Sequence, residues 1–226
     1  MARIELLNTE AHRATRVLSQ ADPRHFERIV ASEFALAAAH YPILFAKDSE
    51  TGAFFAGAVL GFHEGENLFL RNGRQTSYRP LGTRRGPFFI SGENLALDLD
   101  DPRIGHERGE MLFDEAGEPS PFLKDVQATL TKLKIGVEQT SAFIKVLLRL
   151  ELIEPIDISL SFDDGTRCRL DGLYTISSDA LNELADEDVL ALFRSGHLQL
   201  AHCVIGSLRQ IPVLARARNE RLLDVA

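Results

Sequence analysis

The chain of 226 residues is long enough for one large domain or two small ones, and its 45% hydrophobic and 26% charged residues are typical of a globular protein. The formal net charge of −8 argues against nucleic-acid binding, which needs basic residues to neutralise phosphates. No apolar run approaches the roughly 18 residues of a membrane span, and the charged N-terminus lacks the apolar segment of a secretory signal. We therefore expect no nucleic-acid partner, no membrane span and a cytoplasmic location, with export by a non-classical route left open.

The first predicted elements are a polar arm or edge segment and then a short helix. Residues 1–27 are polar and irregular, whereas Ser32–His40 is rich in alanine and begins with a residue that can cap a helix. The helix should end near Tyr41, because the residue before a proline avoids helical geometry. A strand at Ile43–Lys47 follows.

The next part of the chain is rich in predicted strands. These are Phe54–Phe62, Leu68–Leu70, Phe88–Ser91 and Leu95–Leu99. In the last of them apolar and polar residues alternate strictly, which predicts Asp98 and Asp100 on one face of the strand. Residues 114–121 are rich in turn formers and mark the clearest compositional boundary.

From Phe122 to Leu148 apolar residues recur at three- and four-residue steps, which predicts one long helix or two helices broken near Gly136. The Asp163–Gly165 turn between two alternating runs predicts a hairpin. The remaining predicted elements are short helices at Asp179–Leu184 and Glu187–Ser195, a strand at Leu198–Ile205, and a final helix at Val213–Leu223.

The order of these elements predicts an α+β fold: a β-rich N-terminal half with a mixed sheet, then a long helix and short helices in the C-terminal half. We expect residues 28–226 to form a single domain after the arm, with a sub-boundary near 114–121. A disulfide between Cys168 and Cys203 is not needed by a chain with a full core, and both are expected to be small buried residues.

The segment Tyr78–Phe88 concentrates arginine, proline, glycine and aromatic residues in an otherwise acidic chain. In one interpretation Arg84 or Arg85 binds a carboxylate or phosphate and Tyr78 adds a hydroxyl. Since neighbouring residues of a strand point to opposite faces, one arginine should face the ligand. In the other interpretation an arginine is structural and pairs with an acidic residue of the next strand: Glu93, Asp98 or Asp100.

Metal and catalytic motifs are weak in this sequence. Asp98 and Asp100, with Asp101 beside them, have the oxygen ligands that Mg²⁺ or Ca²⁺ prefers, but a solvated acidic strand end is the simpler interpretation. His202 lies between apolar neighbours and is expected in the core or an interface, and His40 is a further candidate base. No HExxH, CxxC or phosphate-loop pattern occurs, so the sequence indicates no cofactor and no metal and leaves catalytic residues unknown.

Several motifs resemble the SapC-like family of bacterial proteins across residues 28–215. The arginine segment is one of them, and the others are HYPILFAKDSETG (40–52), GENLFL (65–70), MLFDEAGEPSP (111–121), LRLELIEP (148–155), the Asp171–Gly172 pair and GHLQLAHCVIGSLRQIPVL (196–214). The chain departs from the family pattern in having no tryptophan before Tyr78. The family name implies a link to surface-layer or cell-envelope processes.

These observations lead us to expect a non-catalytic binding or accessory protein that holds an anionic small molecule or a peptide or protein segment. Tyr78, Arg84, Arg85 and Glu93 are the predicted ligand-binding residues. Two alternatives stay open: an enzyme that uses the acidic strand and the arginine segment with a metal or with His40 or His202 as base, and a structural assembly subunit. Association into a homo-oligomer is also left open.

Overall fold

The computed structural model describes residues 3–18, 23–71, 74–105 and 107–225. It divides into two compact units. The first comprises Met1–Asp22, Asn72–Arg74 and Leu81–Ile135, and the second comprises Pro23–Arg71, Gln75–Pro80 and Gly136–Ala226. The single domain from residue 28 onward and its sub-boundary near 114–121 stay predictions.

Short strands are spread along the whole chain. They are β1 (Ile4–Leu6), β2 (Arg16–Val17), β3 (Phe26–Arg28), β4 (Ile43–Lys47), β5 (Phe54–Val59), β6 (Leu70–Arg71), β7 (Arg74–Gln75), β8 (Phe88–Ser91), β9 (Asn94–Asp98), β10 (Ile104–Gly105), β11 (Glu110–Met111), β12 (Ile153–Pro155), β13 (Ser159–Ser161), β14 (Arg167–Arg169) and β15 (Leu173–Ile176).

The helices are short in the N-terminal part and longer toward the C-terminus. They are α1 (Thr9–His12), α2 (Phe34–Ala37), α3 (Leu81–Arg84), α4 (Pro121–Arg149), α5 (Ser178–Asn182), α6 (Asp186–Arg194), α7 (His197–Ser207) and α8 (Gln210–Val225), and a 3-10 turn spans Ala31–Glu33. No helix within the described residues is long and apolar enough to cross a membrane.

The first unit contains two three-stranded sheets, ordered β1-β9-β8 and β10-β2-β11. β8 and β9 form a hairpin whose two-residue loop begins with Gly92 at φ 62°, a left-handed conformation that favours glycine. On one face of this sheet Phe88 and Leu97 lie opposite each other and are fully buried. They belong to a core that also includes Leu123 and Val126 from the first half of α4.

The second unit is built on a five-stranded sheet with the order β12-β15-β4-β5-β3. Its central strand β4 begins with three residues that are fully buried, Ile43, Leu44 and Phe45. This burial on both faces explains why the sequence of β4 is apolar without alternation. Phe45 packs near Phe143 of α4, so the second half of α4 covers one side of this core.

The long predicted helix is present as one unbroken helix, α4, and Gly136 lies inside it. A side chain at this position would collide with Val30, because an added Cβ would lie 2.5 Å from Val30 Cγ2. Gly136 is therefore a site of close packing and not a helix break.

The α+β class is confirmed, but several details of the prediction are wrong. The pairings within the three- and five-stranded sheets are antiparallel, so the sheets are not the expected mixed sheet. The predicted strand at Leu198–Ile205 is the helix α7, in which Ala201 and Val204 are buried three residues apart. The predicted helix at Ser32–His40 is shorter and is preceded by the 3-10 turn, with Glu33 and not Ser32 bonding to the backbone at its start.

The N-terminal segment is partly an edge strand, as one of its two interpretations expected. β1 pairs with β9, and α1 follows it with Asn8 as the N-cap, whose side-chain oxygen accepts from the N–H groups of Glu10 and Ala11. Residues 1–2 and 19–22 of the predicted arm lie outside the described residues.

Candidate functional site

The arginine segment forms a short helix and a turn rather than a strand. Arg84 is the last residue of α3, and the N–H of Arg85 donates to the carbonyl of Leu81 at 2.8 Å. Pro80 precedes the helix, where a proline is well tolerated, and Gly86 ends the turn at φ 60°. The two arginines therefore do not lie on opposite faces of a strand, contrary to the expectation from the sequence.

Arg84 forms an ion pair at the surface of the first unit. Its Nη2 donates to both carboxylate oxygens of Asp125, at 3.0 and 3.2 Å. The side chains of Arg84 and Asp125 are 34% and 61% exposed. The acidic partner lies on α4, so it is none of the three partners expected for a structural arginine.

Arg85 is held by the first two residues of the following strand, β8. Its Nη1 donates to the carbonyl of Phe88 at 2.7 Å, and its guanidinium lies 4.3 Å from the centre of the Phe89 ring. This distance is typical of a cation–π contact. Arg85 is half-buried, and it directly follows Arg84 in the sequence.

Tyr78 lies in the second unit, where its hydroxyl donates to Oε1 of Glu33 at 3.0 Å. Glu33 is only 2% exposed, and its Oε2 accepts from the N–H of Val30 at 3.0 Å. Sequence reasoning missed Glu33, although its position three residues after Val30 has the spacing of a capping box. The hydroxyl of Tyr78 therefore has a structural partner.

A second buried hydroxyl, that of Tyr41, lies in a polar network of the same unit. Gln75 Nε2 donates to it at 2.7 Å, Ser77 Oγ lies 2.7 Å away, and the hydroxyl donates to the carbonyl of Tyr78. Burial raises the pKa of Tyr41, and the hydrogen bonds from Ser77 and Gln75 oppose this effect. Tyr41 is therefore a neutral hydrogen-bonding group.

The acidic strand end does not have the geometry that the alternation predicted. β9 ends at Asp98, so Asp100 lies in the following turn and not on the same strand face. Asp98 Oδ1 accepts from the N–H of Asp100 at 3.1 Å, and Asp100 Oδ2 accepts from the N–H of Arg3 at 3.0 Å. Both carboxylates take part in local backbone contacts.

The neighbouring Asp101 forms a compact ion pair with Arg103 in the same turn. The Arg103 Nε and Nη2 atoms donate to the two carboxylate oxygens at 2.8 and 2.5 Å. Only 11% of the Arg103 side chain and 14% of the Asp101 side chain are exposed. Within the part of the chain that is described, no three His, Cys, Asp or Glu residues lie together in a way that could hold a metal ion.

The other candidate residues are at the surface. His40 and His202 are exposed, so His202 does not lie in the core, and its placement in an interface stays a prediction. Its sequence neighbours Ala201 and Cys203 are buried and half-buried because α7 turns them inward. Glu93 is exposed in the loop between β8 and β9.

An open depression of about 600 Å³ lies in the first unit, and its lining residues do not belong to the arginine segment. It is lined by Glu5, Leu6, Asn8, Glu10, Ala11 and His12. His12 is 4% exposed, and its Nδ1 lies 3.0 Å from both the backbone nitrogen and the carbonyl oxygen of Asn8. The Nε2 atom lies 3.9 Å from Glu5 Oε2.

Both cysteines are free and half-buried. Burial raises the pKa of the Cys168 and Cys203 thiols above the ordinary value, so neither is activated as a nucleophile.

The fold and the described residues define an α+β protein with an arginine pair at the surface of one unit and hydrogen-bonded tyrosine hydroxyls in the other. A comparison with protein families gives a match to the SapC family over residues 7–214. The chain therefore belongs to the SapC family, which confirms the resemblance seen in its motifs. No curated protein and no solved structure matches the chain.

Proposed function

We propose that this protein is a non-catalytic binding or accessory protein that holds an anionic group at Arg84. The anion belongs to a small molecule or to a peptide or protein segment. Arg85 contributes positive charge beside it, and the predicted contributions of Tyr78 and Glu93 stay predictions. A link to cell-envelope or surface-layer processes is proposed from the family resemblance alone.

The observation that carries this proposal is the contact between Arg84 and Asp125. The guanidinium already binds both oxygens of a carboxylate, at 3.0 and 3.2 Å, on a partly exposed surface. Exposed ion pairs of this kind contribute only about 0–1 kcal/mol, because water and salt screen them. A carboxylate or phosphate from a ligand therefore competes with Asp125 at little cost.

Arg85 supports the same site through its fixed position. The carbonyl of Phe88 and the ring of Phe89 hold its guanidinium, so it loses little side-chain entropy when an anion approaches. Two adjacent positive charges in a chain of net charge −8 favour the local approach of an anion.

A structural assembly subunit is the second candidate. One observation favours it: β1 is the outer strand of its sheet, and its side chains Ile4 and Leu6 are 54% and 55% exposed. Outer strands with exposed apolar residues are ready to pair with another strand.

The binding proposal is tested by titrating the protein with inorganic phosphate and, separately, with N-acetyl-aspartate, while NMR follows the Nε–H signals of the arginines. Arg84→Lys should weaken binding, because lysine keeps the charge but loses the fork of donors. Asp125→Asn should tighten binding by up to about fivefold, because it removes the competing carboxylate.

Arg194→Lys is the matched control, since Arg194 is an exposed arginine near the end of α6 and should leave binding unchanged. Equal affinities of the wild type and the Arg84→Lys variant for both probes would reject Arg84 as the anion site.

A further inference from the structure

We propose that β1 pairs with β1 of a second copy of this chain, in an antiparallel register centred on Ile4, and that the protein thereby forms a homodimer. The proposal concerns the first unit alone and is independent of the arginine site.

Among the residues that the structure describes, no strand pairs with the outer edge of β1. β1 stands at the end of the sheet β1-β9-β8, and β9 is its neighbour within the described residues. Leu99 N–H donates to the carbonyl of Arg3, and Leu7 N–H donates to the carbonyl of Leu95, so residues 3, 5 and 7 direct their peptide groups toward β9. Because alternate residues point to opposite sides, the peptide groups of Ile4 and Leu6 point outward.

The side chains of the same two residues are exposed as well. Ile4 is 54% and Leu6 is 55% exposed. Both side chains lie on one face of the sheet, and the buried Leu97 lies on the other face. Short length and charged residues commonly protect the outer strands of monomers, and β1 is short, contains Glu5 and directly follows Arg3. Its outward peptide groups nevertheless belong to the apolar residues Ile4 and Leu6.

Charge complementarity identifies a second copy as the occupant and sets the register. Arg3 and Glu5 flank Ile4 and are 66% and 41% exposed. If Ile4 lies opposite Ile4 of the second copy, Arg3 of each copy lies opposite Glu5 of the other. These are positions without hydrogen bonds between the backbones, where opposite side chains are closest. Within one chain Arg3 already lies 2.8 Å from Glu5, so each arginine in the dimer is placed between two carboxylates.

Other registers are less favourable. If Ile4 lies opposite Leu6, Glu5 faces Glu5 of the second copy, and directly opposed like charges are destabilising. A register centred on Leu6 extends the pairing to Asn8, whose N–H already donates to His12 Nδ1 and whose carbonyl accepts from the N–H of His12. The charges and the occupied groups of Asn8 therefore select the register centred on Ile4.

The test measures molar mass by sedimentation and light scattering over a concentration series, with any purification tag placed at the C-terminus. The wild type should rise from 25.1 kDa toward twice this mass as concentration increases. The single variants Arg3→Glu and Glu5→Arg each put like charges opposite each other twice, so the dissociation constant should increase by about tenfold or more.

Mixing provides the decisive comparison. An equimolar mixture of the Arg3→Glu and Glu5→Arg variants restores opposite charges at both positions, and so does the double variant R3E/E5R. Both should associate like the wild type. The ion pair within one chain is absent from each single variant even in the mixture, so recovery on mixing can come only from contacts between chains.

Three results would overturn the proposal. The first is a wild type that stays monomeric at every concentration, which leaves the edge to a strand of a different protein. The others are single variants that dimerise as well as the wild type, and a mixture of the two single variants that does not regain dimer formation. Thermal melts at the lowest concentration check that each variant is folded. If Glu5→Arg is unfolded, the comparison of Arg3→Glu with R3E/E5R decides, because only the double variant should dimerise.

Discussion

At the scale of single residues, the sequence identified an arginine-rich segment but not Arg103, whose ion pair is far more buried than that of Arg84. The high local content of arginine, proline and glycine singled out Arg84 and Arg85. Asp101 and Arg103 lie in a turn whose sequence has no such unusual composition. Burial decides which ion pair is structural, and burial depends on the packing of distant segments. The pairing of Arg84 with Asp125, 41 residues away, was not predictable for the same reason.

We expect Arg103→Ala to reduce the free energy of unfolding much more than Arg84→Ala. Arg103 and Asp101 are 11% and 14% exposed, and removal of one member of a buried pair costs about 3–5 kcal/mol, because the other charge stays buried. The exposed Arg84 contributes only about 0–1 kcal/mol. Urea denaturation of both variants measures the difference, and equal losses of stability would show that the two pairs are energetically alike.

A second prediction at this scale concerns the turn after β4. The Arg28 guanidinium, followed by the Thr51 backbone and hydroxyl groups and the Glu50 N–H, lowers the pKa of Asp48 from 3.8 to about 2. Since the folded pKa lies below the unfolded value, this carboxylate stabilises the fold above pH 3.8, and the effect is lost as pH falls through about 2.

An NMR titration of the Asp48 carboxyl carbon measures this pKa directly. The Arg28→Gln variant should move the midpoint upward toward 3.8, because it removes the largest cause of the shift. The stability difference between wild type and Asp48→Asn should shrink as pH decreases over the same range. A midpoint that does not respond to Arg28→Gln would show that the Thr51 and Glu50 contacts alone set the pKa.

At the scale of elements, the long and strongly patterned segments were predicted well. β4 follows from an uninterrupted apolar run, and α4 follows from its three- and four-residue spacing. The sequence of α7 led to the wrong prediction of a strand, because Leu198, Leu200 and His202 alternate with other residues as in a strand. Helical burial at Ala201 and Val204 became evident only from the fold, since a short apolar run fits either structure.

Gly136 provides a test of packing against intrinsic helix propensity. Gly136→Ala should destabilise the protein, because the added methyl group would lie 2.5 Å from Val30 Cγ2. Overpacking costs about 1–3 kcal/mol, whereas the propensity gain of alanine over glycine is about 1 kcal/mol at most. Thermal and urea denaturation give the net change. Val30→Ala in the same chain should relieve the loss only in part, because Val30 Cβ also lies 2.7 Å from the added methyl group.

Gly206→Ala in α7 is the matched control. Nothing lies within 4 Å of the added methyl group there, so only the propensity gain remains. This variant should be slightly more stable than the wild type, by less than about 1 kcal/mol. If Gly136→Ala stabilises as much as Gly206→Ala, the contact with Val30 is not restrictive.

At the scale of the whole molecule, the sequence predicted the α+β class and the family, and it indicated two partly exposed arginines as the best candidate site. It did not predict two compact units, because their first unit is assembled from three separate segments of the chain. Nor did it find Glu33, whose burial beside Tyr78 depends on a contact across 45 residues. Local patterns carry information about elements, but not about which distant segments meet.

The last prediction is that the whole chain unfolds in one cooperative transition. Helix α4 contributes its residues up to Ile135 to the first unit and those from Gly136 onward to the second, so unfolding either unit removes the packing of half of one helix. A helix without tertiary packing is marginal in water.

All three tyrosines, Tyr41, Tyr78 and Tyr174, belong to the second unit, and the chain has no tryptophan. Tyrosine fluorescence therefore reports on the second unit alone, whereas far-ultraviolet circular dichroism reports on the helices of both. The two urea transitions should coincide in midpoint and steepness, as required for two-state unfolding. A loss of dichroism that precedes the change in fluorescence would instead show that the first unit unfolds independently, against the prediction of a single domain.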